Sequence, residues 1–133
     1  MAKIIFLCLG LSIIIWSNAM AVKAKYSFCD SSISSAPGEE DSIDNNKDIK
    51  LNNKAPFHIP NGVYQANKKF FRSLGHDCLG LSTLEVVSTG EKFLMYTTNK
   101  DECDGGNTFG IIVSEENNRE VAQVNDGLIE CKP

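Results

Sequence analysis

The chain has 133 residues, 17 acidic against 13 basic side chains, a formal charge of −4 and five cysteines. That is too short for two ordinary domains, which take ~100–200 residues each, and too acidic to track a phosphate backbone, which rests on clustered Lys and Arg. The cysteine content is also high for an ordinary cytosolic enzyme.

The first 21 residues are expected to be a signal peptide. Met1-Ala2-Lys3 is a positively charged start, Ile4 to Trp16 carries no charge, and Ser17-Asn18-Ala19-Met20-Ala21 ends in small residues. These are the three parts of a secretory leader, with cleavage after Ala21 preferred to cleavage after Ala19. The apolar run is shorter than the ~20 residues a bilayer span needs, so no span is expected after leader removal. The protein is therefore expected to be exported, to a periplasm or to the outside of the cell.

Cys8 leaves with the leader, and Cys29, Cys78, Cys103 and Cys131 remain. An even set in a small exported chain reads as two disulfides, for which three connectivities exist. No CxxC pair occurs among them, so zinc is not expected, and no other metal or cofactor is predicted.

Residues 22–56 read as a mobile polar N-terminal segment ahead of an α+β domain over 57–133. From Asp30 to Pro56 the sequence carries Ser31-Ser32, Pro37-Gly38, the acidic run Glu39-Glu40-Asp41 and two Asn-Asn pairs. Only Ile33, Ile43, Ile49 and Leu51 are sizeable apolar residues there. Burial on that scale does not offset a backbone entropy of ~1–2 kcal/mol per residue.

Pro60 to Gly75 is the helix candidate. Val63, Phe70, Phe71 and Leu74 recur at helical steps, Lys68, Lys69 and Arg72 occupy the other side, and Gly75 suits a left-handed cap. From Leu81 the period becomes two. A turn at Thr89-Gly90 sets Leu84 opposite Met95 and Val86 opposite Phe93, with Glu85 and Lys92 on the other face. A turn at Asn117-Asn118 sets Val113 opposite Ala122 and Ile111 opposite Val124. A turn at Asp126-Gly127 sets Val124 opposite Ile129 and Ala122 opposite Cys131, and Asp-Gly is a strong tight-turn signal.

These hairpins predict an α+β fold: one helix packed on a five-stranded antiparallel β-meander with two disulfides. Its core is expected to hold Phe70, Phe71, Leu74, Leu84, Val86, Phe93, Met95, Phe109, Ile111, Val113, Val124 and Ile129. The first hairpin's register brings Cys78 and Cys103 to its open end, within the ~4.4–6.8 Å a disulfide tolerates. Cys29 and Cys131 then form the other bond, tying the N-terminal segment to the last strand. A helix followed by a meander resembles, in fold alone, cystatins and several small bacterial inhibitors. The Gln-Val-Val-Ala-Gly-type loop of cystatins is absent, and fold does not imply function.

Chemistry is sparsely marked. The two histidines are His58 and His76; a Cys–His pair at His76 and Cys78 is the one nucleophile arrangement conceivable. Cys78 has a better use as half of a disulfide, so both histidines are read as surface or loop residues. The loop from Asn99 to Asn107 is acidic and Gly-rich. Asp101, Glu102, Asp104 and Asn107 offer oxygen ligands, but the spacing fails the EF-hand pattern. The loop is better read as a protein-binding element. Tyr96, on the opposite face from Met95, is the tyrosine to watch for surface contacts, unless it pairs across the strand with Thr83.

No serine elbow, phosphate-cradling loop or metalloprotease helix occurs. The expected function is a small exported, disulfide-stabilised module, not an enzyme, that binds another protein as an inhibitor or immunity factor. No nucleic-acid partner is expected. The competing readings are a secreted hydrolase or toxin with an unadvertised site, and a structural envelope protein.

Overall fold

Apolar alternation from Ile49 onward builds one antiparallel sheet of six strands rather than five. The computed structural model describes residues 26–34, 42–43, 46–52, 56–73, 79–98 and 108–133. Its strands are β1 (Ile33–Ser34), β2 (Ser42–Ile43), β3 (Ile49–Asn52), β4 (Leu79–Val86), β5 (Lys92–Thr98), β6 (Gly110–Ser114), β7 (Glu120–Asn125) and β8 (Leu128–Cys131). β3 to β8 pair in chain order into the curled main sheet, and β1 pairs with β2 in a small second one. Among the described residues no helix is long and apolar enough to cross a membrane.

The three predicted hairpins fare differently. Asp126 and Gly127 both take positive φ (51° and 81°), and Val124 faces Ile129 and Ala122 faces Cys131 as expected. At the first hairpin the loop is four residues, Val87 to Gly90, closed by the Gly90 N–H donating to the Val86 carbonyl at 2.8 Å. The pairing therefore shifts by two: Leu84 faces Phe93 and Ser82 faces Met95. An even shift leaves every side chain on its face, so the predicted apolar set survives.

At the second hairpin the shift is odd. Ile112 faces Ala122, Ile111 faces Gln123, and the register breaks at a bulge between Ile112 and Val113. Ile111 and Val113 thus lie on the opposite face from Ala122 and Val124, contrary to the expected pairs. A bulge adds one residue to one strand and redirects the side chains beyond it.

The main sheet is apolar on both faces, which the single-core expectation missed. One face gathers Leu84, Val86, Phe93, Met95, Ile112, Ala122, Val124 and Ile129 with Phe28; Ile33, Ile43, Ile49 and Leu51 pack against this cluster. The other gathers Leu79, Leu81, Tyr96, Ile111 and Val113 with Val63 and Phe71. The helical segment covers this second face, not the face of Leu84 and Phe93. It is also two helices, α1 (Asn61–Ala66) and α2 (Lys68–Ser73). They part at Asn67 (φ −132°, ψ 34°), whose side-chain N–H groups donate to the carbonyls of Val63 at 2.8 Å and Asn118 at 3.0 Å. An Asn side chain competes with the helix for its own carbonyls, and here the bond to Asn118 also pins the break to the β6–β7 turn. Leu74 and Gly75 lie outside the described residues.

The first face is closed by a strap, residues 26–33, from the segment expected to be mobile. Along β8, Asp30 N–H donates to the Ile129 carbonyl (2.8 Å), Ile129 N–H to Ser31 (2.9 Å) and Ile33 N–H to Gly127 (2.7 Å). Toward β3, the Ser27 hydroxyl donates to Asp48 at 2.7 Å and the Asn46 amide to the Ser27 carbonyl at 2.7 Å. The strap thus ties together the two edge strands of the sheet, where unpaired backbone groups are a liability. Phe28 drives it home: it is fully buried, edge-on to Phe93 and stacked on Tyr26. The four scattered apolar residues of the polar segment are all used, Ile33 and Ile43 in β1–β2, Ile49 and Leu51 in β3. The Cys29–Cys131 bond, with Cα atoms 5.5 Å apart, locks the strap to β8 as predicted. Cys78 and Cys103 lie outside the described residues.

Asp48 gives this closure a pH dependence. Its carboxylate accepts the Ser27 hydroxyl, the Ser88 hydroxyl (2.9 Å) and the Ser88 N–H (2.8 Å). These bonds, Ser27 first, hold its pKa below the ordinary 3.8. A depressed carboxyl pKa adds stability above the unfolded-state value and loses it as pH falls through the folded-state value. The urea midpoint of the wild type is therefore expected to exceed that of Asp48→Asn at neutral pH. The gap should shrink as the pH drops below about 4, where the unfolded carboxyl titrates. A gap constant down to acid pH would show that Asp48 contributes nothing as an anion.

Candidate functional site

The outer face changes character partway across the sheet, and a groove opens at the change. On β4 to β6 its side chains are Leu81, Tyr96, Ile111 and Val113, all beneath the helices. On β7 and β8 the same face carries Gln123 and Asn125, opposite Glu130 and Leu128. The helical cover stops where the apolar surface stops. Between α2 and β7 this leaves a groove of about 670 Å³, walled by Lys68, Lys69, Phe70 and Ser73 on the helical side and by Glu120, Gln123, Asn125 and Lys132 on the strand side. Its volume falls within the ~300–1,000 Å³ of ligand pockets.

Phe109 lines this groove. Expected in the core, it is 42% exposed. It immediately precedes Gly110, where the backbone of β5 leaves no room for a side chain: a β-carbon at Gly110 would lie 2.1 Å from the Tyr96 carbonyl oxygen and 2.9 Å from the Thr97 Cα. Only glycine admits that approach. By strand alternation Phe109 falls on the outer face with Ile111, and together with half-buried Phe70 it gives the groove an apolar, aromatic lining.

The charges are divided between the walls. Lys132 and Glu120 form an ion pair on the strand side, and Asn125 donates to Glu130 at 2.7 Å. The helical wall presents Lys68 and Lys69, both exposed, and neither α1 nor α2 contains an acidic residue.

Tyr96 is not a surface residue. It is fully buried across from Leu81 and Ile111 rather than Thr83, edge-on to Phe57 and Phe71. Burial pushes its pKa up to about 12. Its hydroxyl donates to the His58 carbonyl at 2.8 Å, anchoring the stretch that leads into α1. His58 enters this bond through its backbone, and its side chain is exposed. His76 and the acidic loop residues Asp101, Glu102, Asp104 and Asn107 lie outside the described residues. Among the described residues no group of three His, Cys, Asp or Glu side chains is arranged to hold a metal ion.

The groove residues Lys68, Lys69, Phe109, Gln123 and Lys132 were not singled out together by sequence reasoning. One signal was available: residues 56–73 hold three cations and no Asp or Glu in a chain of acidic balance.

No protein-family model matches the chain, and no curated protein or solved structure is significantly similar to it. The functional reading therefore rests on the fold and the groove.

Proposed function

We propose that this is an exported, disulfide-stapled module that acts by binding another protein, in the manner of an inhibitor or immunity factor. The observation that carries the reading is the groove between α2 and β7, with aromatic side chains in its lining and Lys and amide groups on its walls. A mixed lining of this kind suits recognition: apolar side chains supply the free energy of burial and a few polar groups fix orientation. Its walls are a packed sheet and helices sutured through Asn67, so little conformational freedom is lost on binding. The Cys29–Cys131 bond supports an oxidising destination.

The test is affinity capture from the cell-envelope and secreted fractions with the wild type and a Phe109→Ser variant, followed by mass spectrometry. One protein recovered repeatedly by the wild type and lost with the variant is the expected result. Equal recovery by both would remove the groove from the function, and repeated recovery of nothing would count against a binding role.

A further inference from the structure

Resting on the protein-binding reading, we infer that the groove takes an extended acidic segment of the partner, its carboxylates on Lys68 and Lys69 and an apolar side chain against Phe109. The argument is charge complementarity on one wall. The protein is acidic overall, yet its helical segment carries Lys68, Lys69 and Arg72 and contains no Asp or Glu of its own. The cation on the opposite wall is already satisfied, Lys132 by Glu120. Among the described residues the open cationic charge of the groove is therefore that of Lys68 and Lys69 on the helical side, both exposed to solvent.

The strand wall sets the orientation. Glu120 and Lys132 neutralise each other there and offer a carboxylate no open cation, while Gln123 offers an exposed amide suited to the main chain of an extended peptide. An acidic peptide thus has one favourable way to lie: carboxylates toward α2, backbone toward β7. Nucleic acid fits less well, since a phosphate backbone is charged along its whole length and would run past two lysines onto a protein of net charge −4. Electrostatic complementarity of this kind governs encounter rate and specificity more than raw affinity, so a strong salt dependence is expected.

The experiment is fluorescence anisotropy with a labelled twelve-residue peptide of repeating Glu-Leu-Glu-Phe, beside Gln-Leu-Gln-Phe and Lys-Leu-Lys-Phe counterparts. The expected result is saturable binding of the acidic peptide, tighter than the glutamine version by about tenfold at low salt, with no binding of the lysine version. Reversing both cations, Lys68→Glu with Lys69→Glu, should weaken the acidic peptide by about tenfold or more. Phe109→Ser should weaken the acidic and glutamine peptides alike. These side chains are exposed, so the variants keep the fold, which circular dichroism checks.

Equal binding of the acidic and glutamine peptides, or acidic binding that survives the double reversal, overturns the inference and leaves the protein-binding reading standing. Failure of all three peptides also overturns it, and the capture experiment then judges the parent reading independently. A labelled single-stranded oligonucleotide that binds tighter than the acidic peptide and is released by the double reversal overturns it in favour of a nucleic-acid ligand.

Discussion

Replacing Cys29 and Cys131 together by Ala is expected to cost the fold about 4–5 kcal/mol. The bond closes a loop of 102 residues in sequence separation, and chain-entropy arguments give ~4.7 kcal/mol for a loop near that length. Against a total of ~5–15 kcal/mol for a domain, the double variant should stand close to the edge of folding at physiological temperature. The loss has a structural side as well. Cys29 adjoins Phe28 at the centre of the strap, and Cys131 ends the edge strand to which the strap is sewn. Substitution is preferable to reductant, which would also act on any bond between Cys78 and Cys103. Urea unfolding measures the effect: the midpoint should fall, and the slope should rise because the unlinked unfolded chain exposes more surface. A loss below about 1 kcal/mol would mean that hydrogen bonds and Phe28 hold the strap without help.

How much of this architecture was legible depends on where local and non-local forces agreed. Asp126-Gly127 dictates a two-residue turn by backbone chemistry alone, and its hairpin was read in register. Thr89-Gly90 demands positive φ at Gly90 (75°) but does not say whether the loop holds two or four residues. The two answers differ by an even shift, so the apolar face was right and the partners were not. At Ile112–Val113 the bulge moves the register by one, and nothing in Gly110-Ile111-Ile112-Val113-Ser114 marks it beforehand. That run is nonetheless informative: three consecutive apolar residues in a strand signal burial on both faces, as do Leu94 and Tyr96 flanking Met95.

The strap was hidden by averaging. Over 27 polar-rich residues from Asp30 to Pro56, four isoleucines and leucines look too few to fold, yet each lands against a preformed sheet rather than having to build a core of its own. Phe28 and Tyr26, just ahead of that stretch, stack on one another and meet Phe93 edge-on, whereas in the sequence Tyr26 reads only as a tyrosine available for surface contacts. The groove was beyond the sequence because it is made by a boundary. It exists where the helical cover runs out over β7, which requires knowing that α1 and α2 sit on the face of Tyr96 and Ile111. Only the cationic character of Lys68, Lys69 and Arg72 was on display.

Phe28→Ala is expected to destabilise the protein by about 3–5 kcal/mol, the range for removing a buried aromatic ring. Phe28 is completely buried, its ring centroid 5.1 Å from that of Phe93 and 5.1 Å from that of Tyr26. Truncation leaves a cavity between strap and sheet that neither Met95 nor Ile129 can fill from a fixed strand. The informative measurement is the cycle with the cysteine pair. If strap and disulfide act as one closure, Phe28→Ala should cost less in the Cys29→Ala, Cys131→Ala background than in the wild type, by about 0.5–3 kcal/mol, because part of the docking is already lost. Strict additivity would instead mean that the ring and the cross-link stabilise the sheet separately. The same variants divide scaffold from site. Phe28 lies on the face away from the groove, so Phe28→Ala, assayed where it is fully folded, should bind the acidic peptide as the wild type does. A matching loss of binding would mean that the two faces of the sheet communicate, and that the strap governs the shape of the groove as well as the stability of the fold.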